Sequence, residues 1–442
     1  MEKVKVCDAL FGSGKTLSCI NMMNAEKEKN YIFITPYLDE VERIKRCCEE
    51  RDFVSPERKY TNGYSKLQDI HSLLRAKKNI ASTHALFSCY TDETKQLIRD
   101  GNYTLVLDEV LDLFHPVAYD GEDINLLVRN NIARKQDDNI VWSDDEYEGI
   151  VFSELMQMSK SKNLVDYDGQ FFFWALPIDV FTCFTDCYVL TYLFEYQMLK
   201  YYFDIYSIPY ELIGTKKRGD IYTFCDLREM DRRNDLKSKI HICENPKYNA
   251  IGDASYSLSA TWFDRASREE KQPKFAELRS NIYNFFRQRG EPHTNKMWTT
   301  LNRYKYDLKG KGYANEFLVF NKRASNEFAD RHEVAYCVNV FMQPWMKNYL
   351  IRLGVDEVNQ DMYALSILIQ WLFRSAIRRG EEIWAYIPSR RMRFLLETWL
   401  DNLAKGKDLC EIVFNSKQVS NKNKSKIDKA SSGLMLRRKN GK

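Results

Sequence analysis

A glycine-rich turn near the start of the chain limits the possible folds more than any other feature. A short apolar strand over residues 4–6 leads into the sequence Ala-Leu-Phe-Gly-Ser-Gly-Lys-Thr at positions 9–16, and helix-forming residues 17–23 follow. This order is typical of a phosphate-binding P-loop, in which N–H groups of the turn and of the helix start converge on an anion. An accidental glycine turn before a helix is the alternative. The motif predicts a nucleotide site made of Ala9, Gly12, Ser13, Gly14, Lys15 and Thr16.

A second apolar run ends in two acidic residues. Residues 103–107 are Tyr-Thr-Leu-Val-Leu, and Asp108 and Glu109 follow directly. A continuous apolar strand is what a parallel sheet buried on both faces requires, and its carboxyl end brings acids to the binding crevice. With a P-loop upstream, this pattern predicts that Asp108 holds Mg²⁺ together with Thr16, and that Glu109 polarises the attacking water. Lys15 would bridge the β- and γ-phosphates of ATP.

The two motifs together resemble the ATPase core of superfamily 2 helicases, the DEAD/DEAH-like group. Alanine at position 9, where the usual pattern has glycine, is common in nucleic-acid motors. The resemblance implies an α/β fold of two RecA-like P-loop NTPase domains with parallel sheets. ATP and Mg²⁺ would bind in the cleft between the lobes, and hydrolysis would drive movement on DNA or RNA. The chain also resembles short helicase-like proteins carried by phages and other mobile elements.

Three further stretches of the first half are similar to helicase elements. A strand at 31–36 ends in Thr-Pro, which resembles a segment that contacts nucleic acid, although an ordinary strand-to-helix turn fits equally well. His84 lies in a Thr-His-Ala-Leu-Phe stretch, and its alternative is a structural histidine. Thr191 occupies the place of the helicase Ser/Thr-Ala-Thr element. The sequence there is Thr-Tyr-Leu, so its coupling role stays open.

The second half of the nucleotide site is expected around residue 370. Gln370, Arg374 and Arg378 are spaced by four residues, which would place them on one face of a helix. Helicases close the cleft with a Gln-x-x-Gly-Arg-x-x-Arg element whose arginines contact the γ-phosphate. Here Phe373 replaces the glycine, so the arginine that contacts the γ-phosphate could be Arg374, Arg378 or Arg379. A salt-bridged helix face is the alternative. The predicted catalytic set is Lys15, Glu109, Gln370, Arg374 and Arg378.

Changes in composition along the chain predict its domain organisation. The first RecA-like domain is expected over residues 1–213, with a helical, acid-rich insertion at about 120–168. A basic, glycine-flanked stretch predicts a hinge at 214–238. The second RecA-like domain is expected over 239–403, and a basic tail over 404–442.

The overall composition favours a folded protein with a polyanionic partner. The chain has 442 residues, 44% of them apolar, and a net charge of +4, whereas residues 415–442 alone carry +8. Basic tails are also often merely solubilising. The 11 cysteines form no CxxC pair, and no apolar run reaches 18 residues. The absence of a signal peptide adds to this, and a cytoplasmic protein with reduced thiols and no membrane contact is expected.

The leading functional hypothesis is an ATP hydrolase that works as a helicase or translocase on nucleic acid, with DNA favoured over RNA. One alternative is a DNA-packaging or remodelling ATPase that translocates on duplex without unwinding it. Another is a nucleotide-dependent regulatory binding protein with a degenerate second lobe. These alternatives differ in whether nucleic acid stimulates ATP hydrolysis and whether strands are displaced.

Overall fold

The computed structural model describes residues 3–58, 65–109, 111, 113–144, 149, 151–169, 171–321, 327–407 and 414. The strands, in chain order, are β1 (Val4–Asp8), β2 (Asn30–Thr35), β3 (Ile80–Thr83), β4 (Tyr103–Asp108), β5 (Phe114–Pro116), β6 (Ala133–Gln136), β7 (Asn139–Trp142), β8 (Leu164–Asp166), β9 (Phe172–Ala175), β10 (Asp186–Thr191), β11 (Tyr210–Arg218), β12 (Ile221–Asp226), β13 (Ile240–Ile242), β14 (Lys296–Thr299), β15 (Glu333–Tyr336) and β16 (Ile383–Tyr386). The helices are α1 (Lys15–Ala25), α2 (Leu38–Cys47), α3 (Lys66–Arg75), α4 (His84–Phe87), α5 (Asp92–Asp100), α6 (Gly121–Arg129), α7 (Ser153–Lys160), α8 (Asp179–Thr182), α9 (Met198–Ile205), α10 (Leu236–Lys239), α11 (Pro246–Asn249), α12 (Ala260–Arg268), α13 (Pro273–Arg289), α14 (Lys305–Leu308), α15 (Pro344–Arg352), α16 (Gln360–Leu372) and α17 (Arg390–Ala404). None of these helices is long and apolar enough to cross a bilayer.

The chain divides into two compact units. The first unit contains Met1–Arg232 and Met342–Val358, and the second contains Arg233–Phe341 and Asn359–Lys442. The structure differs from the expected hinge at 214–238, because β12 and most of β11 lie in this stretch as an antiparallel hairpin of the first unit. Most of the expected basic tail, residues 408–413 and 415–442, lies outside the described residues.

A mostly parallel sheet of seven strands forms the centre of the first unit. Its strand order is β12-β11-β1-β10-β4-β2-β3, and only β12 runs antiparallel to its neighbour. The residues at 31–34 of β2 and at 105–107 of β4 have no exposed surface. Since successive strand residues point to opposite faces, both faces of the sheet are covered. The predicted α/β fold with parallel sheets is confirmed.

The predicted insertion in the first unit contains a sheet as well as helices. Its strands are antiparallel and lie in the order β5-β9-β8-β7-β6, with α6 and α7 alongside. In β7, Ile140 and Trp142 are buried while Asn139 and Val141 are less so, which is the alternation of a sheet with one covered face. A helix within the insertion is present as α7, over Ser153–Lys160. The insertion therefore contains a five-stranded sheet in addition to helices.

A helix from the second half of the sequence belongs to the first unit. The ring of Tyr349 on α15 lies 4.7 Å from that of Phe173 and 5.6 Å from that of Phe114, measured between centroids. Trp345, one turn earlier, lies 5.3 Å from Phe173. Aromatic pairs at these distances add to the stabilisation from buried area. We conclude that α15 covers the antiparallel sheet of the insertion, although the sequence around it folds in the second unit.

The second unit is built on a smaller parallel sheet. Its four strands lie in the order β13-β16-β15-β14. A core that includes Phe263, Phe285 and Trp298 lies between this sheet and α12 and α13. Helices α13 and α17 both belong to this unit. Phe317 makes an isolated bridge to Trp298 on β14.

A buried carboxyl group lies at the start of the central strand β15. Glu333 has no exposed surface, and Arg289 Nε lies 3.1 Å from its Oε1 atom. The Arg289 guanidinium also lies 3.7 Å from the ring centroid of Trp384. Burial raises the pKa of Glu333 to about 7, and Arg289 and Lys296 oppose this shift.

This shift makes the stability of the second unit depend on pH. Because the folded-state pKa lies above the ordinary value of 4.5, the folded state holds a proton that the unfolded chain has lost between these two values. Stability is therefore highest below about pH 4.5 for this group and falls as pH rises through 7. We expect Glu333→Gln to stabilise the second unit more at pH 8 than at pH 5, and the two gains in unfolding free energy should differ by on the order of 1–3 kcal/mol. The measurement is the melting temperature of parent and variant at each pH. The exposed Glu277→Gln on α13 is the control, and equal shifts at both pH values would contradict the prediction.

Candidate nucleotide site

The glycine-rich loop that the sequence predicts to be a P-loop follows the carboxyl end of β1. The strand ends at Asp8 and α1 begins at Lys15, so residues 9–14 form the connecting loop. Gly12 and Gly14 have φ values of +79° and +86°, in the left-handed region. Residues with a Cβ atom are strained there, whereas glycine is not. The two glycines therefore set the path of the loop, and Gly14 is the residue that caps α1.

The lysine and threonine of the loop point to different partners. The Lys15 ammonium donates to the carbonyl oxygens of Ala9 and Leu10, and it lies 4.9 Å from the ring centroid of Phe11. The Thr16 hydroxyl donates to Asp108 Oδ2 at 3.4 Å. This contact joins the start of α1 to the end of β4, 92 positions later in the chain. The two predicted halves of the site in the first unit thus meet at one edge of the sheet.

The acidic pair lies where β4 ends in a strained turn. Asp108 is the last residue of the strand, and Glu109 has a φ of +62°. The Glu109 N–H donates to the carbonyl oxygen of Leu190 at 3.1 Å, which fixes this turn against β10. His84 Nε2 lies 3.1 Å from the carbonyl oxygen of Asp108. The histidine singled out in the sequence therefore contacts the backbone of the acidic pair.

The end of β10 connects the P-loop to the acidic pair, since this strand lies between β1 and β4. The Ala9 N–H donates to the carbonyl oxygen of Thr191 at 3.1 Å. The Asp8 carboxylate accepts from the N–H groups of Leu193 and Phe194 at 2.7 and 3.2 Å. The Thr191 hydroxyl itself donates to Gln197 Oε1 at 2.8 Å.

The role of Asp8 was missed in the sequence. Its partners lie 185 and 186 positions away, and no local pattern marks it. The only signal was its position directly before the glycine loop.

Burial shifts the titration of the charged groups at this edge. It raises the pKa of Asp108 to about 7, Glu109 and Glu40 add to the rise, and Lys15 opposes it. It raises the pKa of Asp8 to about 6, against the two N–H groups that favour the charged form. It lowers the pKa of Lys15. A ligand that brings both negative charge and a divalent cation would stabilise the charged forms of Lys15 and Asp108.

The oxygen donors present suit Mg²⁺. Thr16 supplies a hydroxyl and Asp108 a carboxylate, and Mg²⁺ typically takes one or two protein oxygens and fills its shell with water and phosphate. Among the described residues, no group of three or more His, Cys, Asp or Glu side chains could hold a metal by itself. The donor set therefore fits a cation that arrives with a phosphate ligand.

The predicted arginine face in the second unit is corrected by the structure. Helix α16 ends at Leu372, so Arg374 and Arg378 do not continue the helical face of Gln370. The N–H groups of Arg374 and Ser375 bond three residues back, to Trp371 and Leu372, which tightens and ends the helix. Arg378 and Arg379 lie in a short 3₁₀ helix over Ala376–Arg379. Arg374 is 2% exposed, and Gln370 and Arg378 are half-buried. A role for any of them at a phosphate stays a prediction.

Two arginines near the start of α17 are held by contacts within the second unit. Arg391 is 3% exposed and bonds to Asp361, Asn339 and the carbonyl oxygens of Val340 and Gln360. Arg393 donates to the carbonyl oxygens of Ile387 and Pro388. These two side chains therefore join loops of the second unit to α17.

Two solved structures match this chain over most of its length. S. tokodaii Xpd4 matches with a TM-score of 0.45 and 12% identity, over 90% of this chain and 94% of that one. An XPD helicase matches with a TM-score of 0.40 and 10% identity, over 93% and 96% of the two chains.

Sequence comparison gives a stronger relationship. Residues 116–174 match the YonV middle domain, and residues 234–400 match the YonV C-terminal Rossmann-like domain. The SPbeta prophage-derived protein YonV of Bacillus subtilis (strain 168) is 41% identical over 416 residues, which cover 91% of this chain and all of the relative. The predicted resemblance to phage-borne proteins is thereby confirmed, and the chain belongs to the YonV family.

Proposed function

We propose that this protein is an ATP-dependent nucleic-acid helicase or translocase. The observation that carries the proposal is the contact between Thr16 and Asp108, which brings the glycine loop and the acidic pair to one edge of the first sheet. Lys15 is the first residue of α1, and its ammonium bonds to the carbonyl oxygens of Ala9 and Leu10 in the glycine-rich loop. This arrangement supports binding of a nucleoside triphosphate with Mg²⁺.

The residues of the first unit would divide the chemistry among them. N–H groups of Gly12, Ser13 and Gly14 would bind the phosphates, and Lys15 would neutralise the charge between the β- and γ-phosphates. Thr16 and Asp108 would hold Mg²⁺, which supplies further charge neutralisation when bound. Glu109 would orient and polarise the attacking water. Catalysis of this kind depends on positioning and electrostatics, which suits the fixed turns at Gly14 and Glu109.

An arginine would contact the γ-phosphate. Arg374, Arg378 and Arg379 are the candidates, and Gln370 lies near them in sequence. Because α16 ends at Leu372, Arg374 follows the helix, whereas Arg378 and Arg379 lie in the 3₁₀ helix. Each residue is replaced by alanine in turn, and ATP turnover is measured at saturating ATP. This comparison distinguishes an arginine that contacts the γ-phosphate from a structural arginine.

A basic, aromatic surface of the second unit supports a nucleic-acid partner. Tyr306 on α14 is 71% exposed. The Lys305 and Lys309 ammonium groups lie 5.9 and 5.1 Å from its ring centroid, and Lys311 nearby is exposed. An exposed ring flanked by lysines suits a single strand, because bases stack on the ring while phosphates meet the charges.

We expect Tyr306→Ala to weaken binding of single-stranded DNA by about tenfold, because one stacked base would be lost. Tyr256→Ala is the matched control, since Tyr256 is 72% exposed in the same unit and no lysine ring contact is found for it among the described residues. The measurement is fluorescence anisotropy of a labelled oligonucleotide at fixed salt. Equal affinities of the two variants would contradict a role for this surface.

The direct test is the dependence of ATP hydrolysis on nucleic acid. We expect hydrolysis to be stimulated by DNA, with single-stranded DNA, duplex DNA and RNA compared at equal nucleotide concentration. Stimulation would exclude a purely regulatory binding protein. Displacement of a strand from a tailed duplex would favour a helicase, whereas stimulation by duplex without displacement would favour a packaging or remodelling translocase. Hydrolysis that is unaffected by all three nucleic acids would refute the proposal.

A further inference from the structure

The edge hairpin of the first unit, β11 and β12, lies directly against the phosphate-binding loop. The Thr215 hydroxyl on β11 donates to the carbonyl oxygen of Ser13 at 2.9 Å. Asn21 Nδ2 on α1 donates to the carbonyl oxygen of Tyr222 on β12 at 2.9 Å. The Tyr222 ring lies so close to Gly14 that a Cβ atom built on the glycine would be 2.1 Å from Tyr222 Cδ1. The hairpin thus contacts the loop and the helix that follows it.

The hairpin is itself anchored to the core of the unit. Its register pairs Thr215 with Phe224 and Lys217 with Tyr222, which places all four side chains on one face. The ring of Phe224 stacks on that of Tyr188 at 5.6 Å between centroids, on β10 inside the sheet. Since Phe224 fixes this face against the core, the ring of Tyr222 is held in place against Gly14.

The contact acts at the residue that determines the direction of the loop. Gly14 has a φ of +86°, and α1 starts at the next residue, Lys15. A shift of Gly14 would reorient the N–H groups at the helix start and the Lys15 side chain together. The strand β1 has β10 on one side and β11 on the other. The loop is therefore contacted from both sides. Thr191 accepts a hydrogen bond from Ala9 on one side, and on the other the hairpin bonds to Ser13 and packs against Gly14.

We infer that Tyr222 is a positioning residue for phosphate binding, whose ring keeps Gly14 and the start of α1 in the conformation that receives a triphosphate. The inference rests on the proposed nucleotide site. Tyr222 would act through the loop rather than by touching the base, so its effect should be the same for any ligand that carries the phosphates.

The test compares ATP with inorganic tripolyphosphate, which has the phosphates and no base. In the full-length chain, Tyr222→Ala should weaken binding of both ligands by about tenfold, as expected for the loss of one packed ring. Tyr222→Phe keeps the ring and should bind both within about twofold of the parent. In steady-state hydrolysis, KM for ATP should rise more than kcat falls. The control is Ile221→Ala, which changes a 57%-exposed neighbour on the same strand.

Two outcomes of this comparison would overturn the inference. A loss for ATP with tripolyphosphate unchanged would assign the ring to the base instead. An equal loss in Ile221→Ala would show a general effect of the hairpin. If Tyr222→Ala does not fold by circular dichroism, Thr215→Val removes only the hydroxyl bonded to Ser13, and it should weaken both ligands by about threefold.

Hydrogen exchange separates this inference from the proposed function. Without any nucleotide, amides of residues 9–16 should exchange faster in Tyr222→Ala than in the parent or in Ile221→Ala. A parent chain that binds neither ligand would refute the proposed nucleotide site. Unchanged exchange at 9–16 would refute the positioning role, whatever the parent binds.

Discussion

Lys15→Ala is expected to reduce ATP turnover by a factor of about a hundred or more. Lys15 carries the positive charge of the loop, and without it the charge that develops between the β- and γ-phosphates would have no fixed counter-charge from this unit. Binding of ATP should weaken as well, because the interaction exists before the chemical step. The measurement is the steady-state rate of phosphate release, together with the Kd for ATP.

A lysine outside the site provides the comparison for this variant. Lys29 is 41% exposed and forms ion pairs with Glu26 and Asp186 in the same unit, and surface pairs of this kind contribute little to stability. Lys29→Ala should therefore hydrolyse ATP at nearly the parental rate. Turnover by Lys15→Ala within a few-fold of the parent, with the fold intact by circular dichroism, would rule out the proposed site.

Glu109→Gln is expected to bind ATP as the parent does and to lose turnover by a factor of about a hundred to a thousand. The amide cannot accept a proton from the attacking water, and a general base contributes rate factors of this order. Because Gln has nearly the same size and the same backbone preferences, the turn at φ +62° should be kept. The measurements are equilibrium binding of ATP and single-turnover hydrolysis.

The neighbouring acid supplies the contrast for Glu109. Asp108 contacts Thr16 and is the proposed Mg²⁺ ligand, so Asp108→Asn should weaken the Mg²⁺-dependent part of ATP binding as well as turnover. Two variants with the same profile would mean that the two acids do not have separate roles. A Glu109→Gln protein that keeps most of its turnover would refute the assignment of Glu109.

The first half of the site could be predicted because its signals are local. Gly12, Gly14 and Lys15 lie within four positions, and the apolar strand before Asp108 is continuous, so short windows of sequence contain the whole pattern. The residues that hold these motifs together are distant in sequence. Asp8 bonds to residues 193 and 194, and Tyr222 reaches Gly14 across more than 200 positions. No periodicity in one segment predicts such pairs.

The part of the site expected around Gln370 was predicted less well, because residue spacing alone does not show where a helix ends. The offsets from Gln370 to Arg378 fit one helical face, but Ser375 adopts extended angles, with φ −89° and ψ −174°, and ends the helical path. In the insertion, short strands such as Ala133–Gln136 have mostly exposed residues and no clear alternation. Their pairing becomes evident only when the sheet is assembled.

The placement of α15 affects the order in which the protein can fold as it is synthesised. Domains generally fold as units while the nascent chain emerges from the ribosome. Here the aromatic side chains of Phe114 and Phe173 pack against Trp345 and Tyr349, which are translated more than 170 residues later. The first unit therefore reaches its complete core only after most of the second unit has also been made.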